Sequence, residues 1–118
     1  MAFKFENLKV WQRAIAFTGQ VHELTRDFPQ EELYILTSQI KRAADSIALN
    51  IAEGSTGATN KQFSNYLGTA IRSGIEVVSC LYVGKERKLI TDEQFKTHYE
   101  EVAVIIRMTQ ALRNSIDN

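Results

Sequence analysis

Asn50-Ile51-Ala52-Glu53-Gly54 closes a segment that opens Gln39-Ile40-Lys41-Arg42-Ala43-Ala44. Between Leu33 and Ile51 the apolar residues fall at Leu33, Leu36, Ile40, Ala43, Ala44, Ile47 and Ile51. Steps of three and four lay one apolar stripe along a helix. Gly54 is expected to end that helix in the left-handed conformation, where the missing Cβ removes a clash. A polar row runs beside the stripe: Gln39, Arg42, Ser46, Asn50 and Glu53. At about 100° per residue it borders the buried face rather than opposing it. Its members should be partly buried and therefore need hydrogen-bond partners. Arg42 is the member expected to pair with a carboxylate on another helix, and Glu76 is the candidate. The segment reads as a packing helix with a polar seam, not as a presented active site.

Breaks on either side of this helix set the rest of the architecture. Phe28-Pro29-Gln30-Glu31-Glu32 puts proline and acids where the first turn of a helix accepts them. Gly54-Ser55-Thr56-Gly57-Ala58 is followed by Thr59-x-x-Gln62, a capping-box pattern, and Lys88-Leu89-Ile90 by a second one, Thr91-Asp92-Glu93-Gln94. Three breaks leave four helical segments, near residues 8–27, 30–53, 60–87 and 92–115. The expected fold is all-α: one domain over residues 1–118, an antiparallel up-down-up-down four-helix bundle with short loops.

The first segment carries two apolar rows. Leu8, Trp11, Ile15, Thr18, His22 and Thr25 form one, and Val10, Ala14, Phe17, Val21, Leu24 and Phe28 the other. In the third, Ile71, Ile75 and Tyr82 widen the face formed by Phe63, Leu67, Ala70, Val77 and Leu81. A lone bundle needs fewer apolar positions than this. The surplus predicts self-association into a homo-oligomer, with Trp11, Phe17 and Val21 as candidate contacts between copies. Gly68 and Gly74 lie inside the third segment, where each costs about 1 kcal/mol against alanine. Close approach of a neighbouring helix, the second or one from another copy, is the expected compensation.

Composition narrows the function. The 118 residues include 14 basic and 14 acidic side chains, so the formal net charge is zero. That removes whole-molecule attraction to nucleic acid or anionic lipid and leaves local patches. The basic candidates are Lys41, beside Arg42, then Arg72, and the run containing Lys85, Arg87 and Lys88. A helix C-terminus favours cations for its own reasons, which gives that last run a purely structural reading as well. One cysteine, Cys80, excludes an internal disulfide and fits a reducing compartment. With no apolar run long enough to span a bilayer and no signal-peptide pattern, a cytoplasmic protein with no membrane partner is expected.

Catalytic and metal chemistry find no foothold. No acid has a histidine three residues later, and the two histidines, His22 and His98, stand far apart. Gly54-Ser55-Thr56-Gly57 lacks the lysine of a phosphate loop and follows a helix, not a strand. Ser73 has no base near it in sequence. No catalytic residue, cofactor or metal is expected. Cys80 reads as a small buried hydrophobe, His22 as a packed or interface residue, and His98 as solvated.

Several blocks together resemble a known family, the 23S rRNA intervening-sequence proteins. They are Leu8-x-Val10-Trp11-Gln12, Phe28-Pro29-x-x-Glu32-x-Tyr34-x-Leu36-x-x-Gln39, Arg42-Ala43-Ala44-x-Ser46-Ile47-x-x-Asn50-Ile51-Ala52-Glu53-Gly54, and Ser73-x-x-Glu76. The family is similar to the accessory variability proteins of diversity-generating retroelements. The resemblance implies a homopentameric barrel of four-helix bundles. It also implies a nucleic acid or a nucleic-acid-binding protein as partner. Two functions stay open: a non-enzymatic oligomeric scaffold touching nucleic acid or a nucleoprotein through basic residues, and a structural or protein-partner module with no nucleic-acid role.

Overall fold

A computed structural model of the chain describes residues 2–57 and 59–117. The described residues form helices and no strand: α1 Lys9–Thr25, α2 Ser38–Ser55, α3 Asn60–Glu86 and α4 Asp92–Asp117. A 3₁₀ turn, Lys4–Asn7, precedes α1. A 3₁₀ turn, Gln30–Glu32, and a π-helical turn, Leu33–Thr37, lead into α2. Regular α-helix therefore starts at Ser38, well after the residue-30 start that Pro29 suggested.

Both α1 and α3 pack against α2 and α4, and the α2–α3 seam is the most extensive. The body measures 43 × 23 × 21 Å. Its core runs through Phe17 and Val21 of α1, Ile40, Ile47 and Ile51 of α2, Leu67, Val77 and Leu81 of α3, and Val102 and Ile105 of α4. The two rows of α1 differ in burial, although Thr25 of the outer row is buried and Leu8, Trp11 and Thr18 are half-buried. Val10, Ala14, Phe17, Val21 and Leu24 are buried, whereas Ile15 is 42% exposed and His22 is exposed. Phe17 and Val21, expected to touch another copy, are wholly enclosed within one chain. Flanked by both α2 and α4, α1 turns that row inward and offers none of it to a partner. Trp11 keeps some surface and packs edge-on against Phe5, ring centroids 4.8 Å apart. Gln12 donates to the Glu6 carbonyl at 2.8 Å. The Trp11-Gln12 pair thus pins the N-terminal 3₁₀ turn onto α1.

Helix ends follow the chemistry of their sequences. Thr59 Oγ1 accepts from the Gln62 amide at 3.1 Å, and Thr91 and Gln94 exchange two bonds of 2.9 and 3.0 Å. The end of α2 differs from expectation. Gly54 lies inside the helix, and among the described residues no glycine has positive φ. Hydroxyls take the last carbonyls instead: Ser55 donates to Ala52 at 2.7 Å and Thr56 to Glu53 at 2.8 Å. The left-handed position falls at Lys88 (φ 60°), after α3. There the Leu89 amide reaches back to the Gly84 carbonyl at 2.8 Å and the Lys88 amide to Lys85 at 3.0 Å, closing a Schellman motif.

Gly54 serves close approach. A Cβ at that position would lie 2.6 Å from Tyr66 Cβ and 3.0 Å from a Phe63 ring carbon. Gly74 does the same against a different helix than expected: its Cβ would meet Ile106 of α4 at 2.7 Å. Gly68 faces the Arg113 guanidinium, also on α4. The mid-helix glycines of α3 therefore admit α4, not α2.

Candidate functional site

The polar row of α2 meets α3. Ser46 and Ser73 share a hydrogen bond of 2.8 Å between their hydroxyls. Asn50 donates to both the carbonyl and the hydroxyl of Ser46, at 2.8 and 2.9 Å. At the seam's edges, Gln39 donates to Glu76 at 3.4 Å and the Tyr66 hydroxyl donates to Glu53 at 3.4 Å. Gln39, Arg42 and Glu53 are exposed, and only Ser46 and Asn50 are partly buried as the row was expected to be. Arg42 stands apart in making no side-chain hydrogen bond or ion pair with the described residues. The expected Arg42–Glu76 pair is not formed, because Gln39, a turn earlier on α2, faces Glu76. Small hydroxyl and amide groups hold this seam together. It has no base beside a nucleophile, and its chemistry is that of packing.

Two ion pairs that sequence reading missed tie distant parts of the chain together. Arg13 of α1 donates to both Glu101 oxygens on α4, at 2.9 and 2.7 Å. The bonded and charged Glu101 carboxylate raises the Arg13 pKa above its ordinary value. Arg87, a proposed nucleic-acid contact, donates to both oxygens of Glu32 at 3.0 and 3.3 Å. Neither pairing has a local sequence signal, since the partners are brought together only by tertiary packing. The other cations vary in freedom. Lys85 Nζ lies 3.8 Å from Asp92 and 4.7 Å from the centre of the Phe95 ring. Arg72 donates to Thr69 Oγ1 at 3.0 Å. Lys88 is exposed at the left-handed turn. Lys41, like Arg42, has no hydrogen-bond or ion-pair partner among the described residues.

Those two free cations border neighbouring clefts at the α1–α2 corner. A cleft of about 330 Å³ is lined by His22 of α1, Arg26 just after that helix, the turn at Phe28 and Pro29, and Lys41 of α2. A second, of about 280 Å³, is lined by Tyr34, Arg42 and Asp45. Leu33, Thr37 and Lys41 line both. Thr37 is 6% exposed, and its hydroxyl has no partner among the described residues. A buried, unpaired hydroxyl costs about 1–3 kcal/mol. It sits at the end of the π-turn, a backbone irregularity that often accompanies function.

The remaining reactive side chains are quiet. Cys80 is buried, and burial, with Glu76 nearby, pushes its thiol up to about 11. A thiol so rarely ionised near neutrality is a poor nucleophile. His98, expected in solvent, is half-buried: its ring lies 6.4 Å from that of Phe17, and Nδ1 is 2.7 Å from the Gln94 carbonyl. Among the described residues no group of three or more His, Cys, Asp and Glu side chains could hold a metal ion. No described helix is long and apolar enough to cross a membrane.

The chain is similar to a solved structure from Bacteroides thetaiotaomicron, a protein of unknown function from the S23 ribosomal protein family. The two share 22% sequence identity and a TM-score of 0.83, over 89% of this chain and 95% of that one. At that identity the likeness speaks for the fold. No curated protein matches the chain. The sequence profile of one family matches residues 6–111, nearly the whole length, and by that match the chain belongs to the 23S rRNA-intervening sequence protein family.

Proposed function

We propose that this protein is a non-enzymatic subunit of a homo-oligomeric ring, pentameric by resemblance, that acts as a scaffold for nucleic acid or a nucleoprotein in the cytoplasm. The observation that carries the reading is the exposed apolar side of α3. Ile75 is 56% and Tyr82 55% exposed, two turns apart on one face, and Tyr99 of α4 adds to the patch at 39%. Large apolar side chains grouped on a helical face mark an interaction surface. Trp11, on the half-exposed row of α1, is the other candidate contact. An up-down-up-down order suits such a ring. It is supported by partners that run in opposite senses along neighbouring helices: Gln39 with Glu76 but Glu53 with Tyr66, and Lys85 with Asp92 but Ser64 with Arg113.

Light scattering at micromolar concentration should return a multiple of the chain mass, and Ile75→Glu/Tyr82→Glu should reduce it to one chain. A monomer mass for the wild type overturns the ring. On this reading the nucleic-acid contacts are drawn from the candidate cations Lys41, Arg72, Lys85, Arg87 and Lys88, multiplied by symmetry. A second reading, a protein-partner module without nucleic acid, is favoured by one observation: Arg87 is already satisfied by Glu32. Retarded migration of RNA at low salt separates the two.

A further inference from the structure

We infer that the α1–α2 corner, and not the basic run after α3, is the groove in which this protein holds single-stranded nucleic acid. The inference rests on the nucleic-acid reading proposed above and gives it a location.

Charge accounting decides between the two ends of the molecule. After α3, Arg87 is bound at both oxygens of Glu32, and Lys85 sits between Asp92 and the Phe95 ring. Of that run only the Lys88 side chain is exposed and without a partner among the described residues, so a phosphate there meets one free cation or must displace a carboxylate. At the corner, Lys41 and Arg42 have no partner among the described residues. Among the described residues the Arg26 side chain is engaged only by Glu23, three residues away, with both side chains about two-thirds exposed. Such surface pairs are weak and readily exchanged for a phosphate. Against these three cations and His22, the two clefts present one acid, Asp45. The neutral chain has thus left a local excess of positive charge in a concave place, where field and shape act together.

The aromatic side chain selects the strand state. Tyr34 is 88% exposed, the most exposed large apolar side chain described, and it lines the same cleft as Arg42. A free tyrosine face stacks on a base that has left its duplex, while neighbouring cations follow the backbone. Because Leu33, Thr37 and Lys41 line both clefts, Lys41 stands where the two adjoin and can meet a phosphate lying between them. The π-turn produces this arrangement. It carries Leu33, Tyr34 and Ile35, each at least 40% exposed, and delivers the chain into α2 beside Lys41 and Arg42.

The test is fluorescence anisotropy of a labelled oligouridine, and of a duplex of equal length, at low and at physiological salt. Wild type should bind the single strand more tightly than the duplex. Lys41→Glu/Arg42→Glu should weaken binding and lower the log–log salt slope by about 0.7 for each phosphate no longer neutralised. Lys41→Gln/Arg42→Gln should do so more mildly, with an unchanged far-ultraviolet spectrum. Tyr34→Ala should weaken single-strand binding by about fivefold or more and leave the salt slope unchanged. Lys85→Gln/Lys88→Gln should change little. If that last variant loses binding while the corner variants keep it, the groove is misplaced but the nucleic-acid reading stands. If no variant changes binding, or duplex and single strand bind alike, the groove is also overturned. If the wild type binds neither probe at low salt, both the groove and the nucleic-acid reading fall.

Discussion

From Ser46 to Gly54, α2 is closed against α3. Ser46, Asn50 and Ser73 satisfy one another, Ile47 and Ile51 are buried, and Gly54 leaves no room for a methyl group beside Tyr66. From Leu33 to Arg42 the outer side of the chain is open, although Leu36 and Ile40 still join the core. Its backbone widens into a π-turn, Tyr34 stands in solvent, and the Thr37 hydroxyl and the Lys41 and Arg42 side chains have no partner among the described residues. The difference teaches that the most distinctive block of this sequence, Asn50 to Gly54, is distinctive for packing. The features that resemble a binding site lie where packing is least complete.

The comparison can be broken at four points, taken from the largest expected effect down. Ile47→Ala should destabilise by about 2–5 kcal/mol, as deletions in a closed core do. A loss below about 1 kcal/mol in chemical denaturation would mean that this end is as loose as the other. Gly54→Ala should cost about 1–3 kcal/mol through overpacking, although alanine is the better helix former by about 1 kcal/mol. The methyl would press on Tyr66 Cβ, an atom beside the backbone, so α2 and α3 would have to part. A gain in stability would show that the contact is slack.

At the open end the sign reverses. Thr37→Val keeps the shape and removes the unpaired hydroxyl, so it should stabilise by about 1 kcal/mol. Destabilisation on thermal melting would reveal that the hydroxyl has a partner and that this end is as well satisfied as the other. Arg42→Ala should fall within about 0.5 kcal/mol of wild type, the ordinary range for an exposed side chain. A loss of several kcal/mol, as expected for a buried ion pair, would restore Arg42 to the seam.

Much of the fold was legible in local pattern. The apolar stripe of α2 and the inner row of α1 are the observed core, and the threonine–glutamine boxes at Thr59 and Thr91 start α3 and α4. The seam was legible as a row, because helical periodicity alone puts Ser46 and Asn50 at the edge of the buried face. Its partners were not. Whether Gln39 or Arg42 meets Glu76 depends on the register of two helices, which no local spacing encodes. The same holds for Arg87 with Glu32 and Arg13 with Glu101, whose members lie far apart in sequence.

The sequence by itself determined which residues are helical and which faces are apolar, since periodicity and capping act within a turn or two of chain. Tertiary structure alone decided which of two apolar rows on α1 is core, so that Phe17 and Val21 went inside and Ile15 stayed in water. It decided that Gly54 is a contact and not a helix stop, because the nearness of Tyr66 is set by how α3 crosses α2. It also decided which cations are free. A lysine or arginine reads the same in any sequence, but a carboxylate from elsewhere among the described residues either reaches it, as Glu32 reaches Arg87, or does not, as at Lys41.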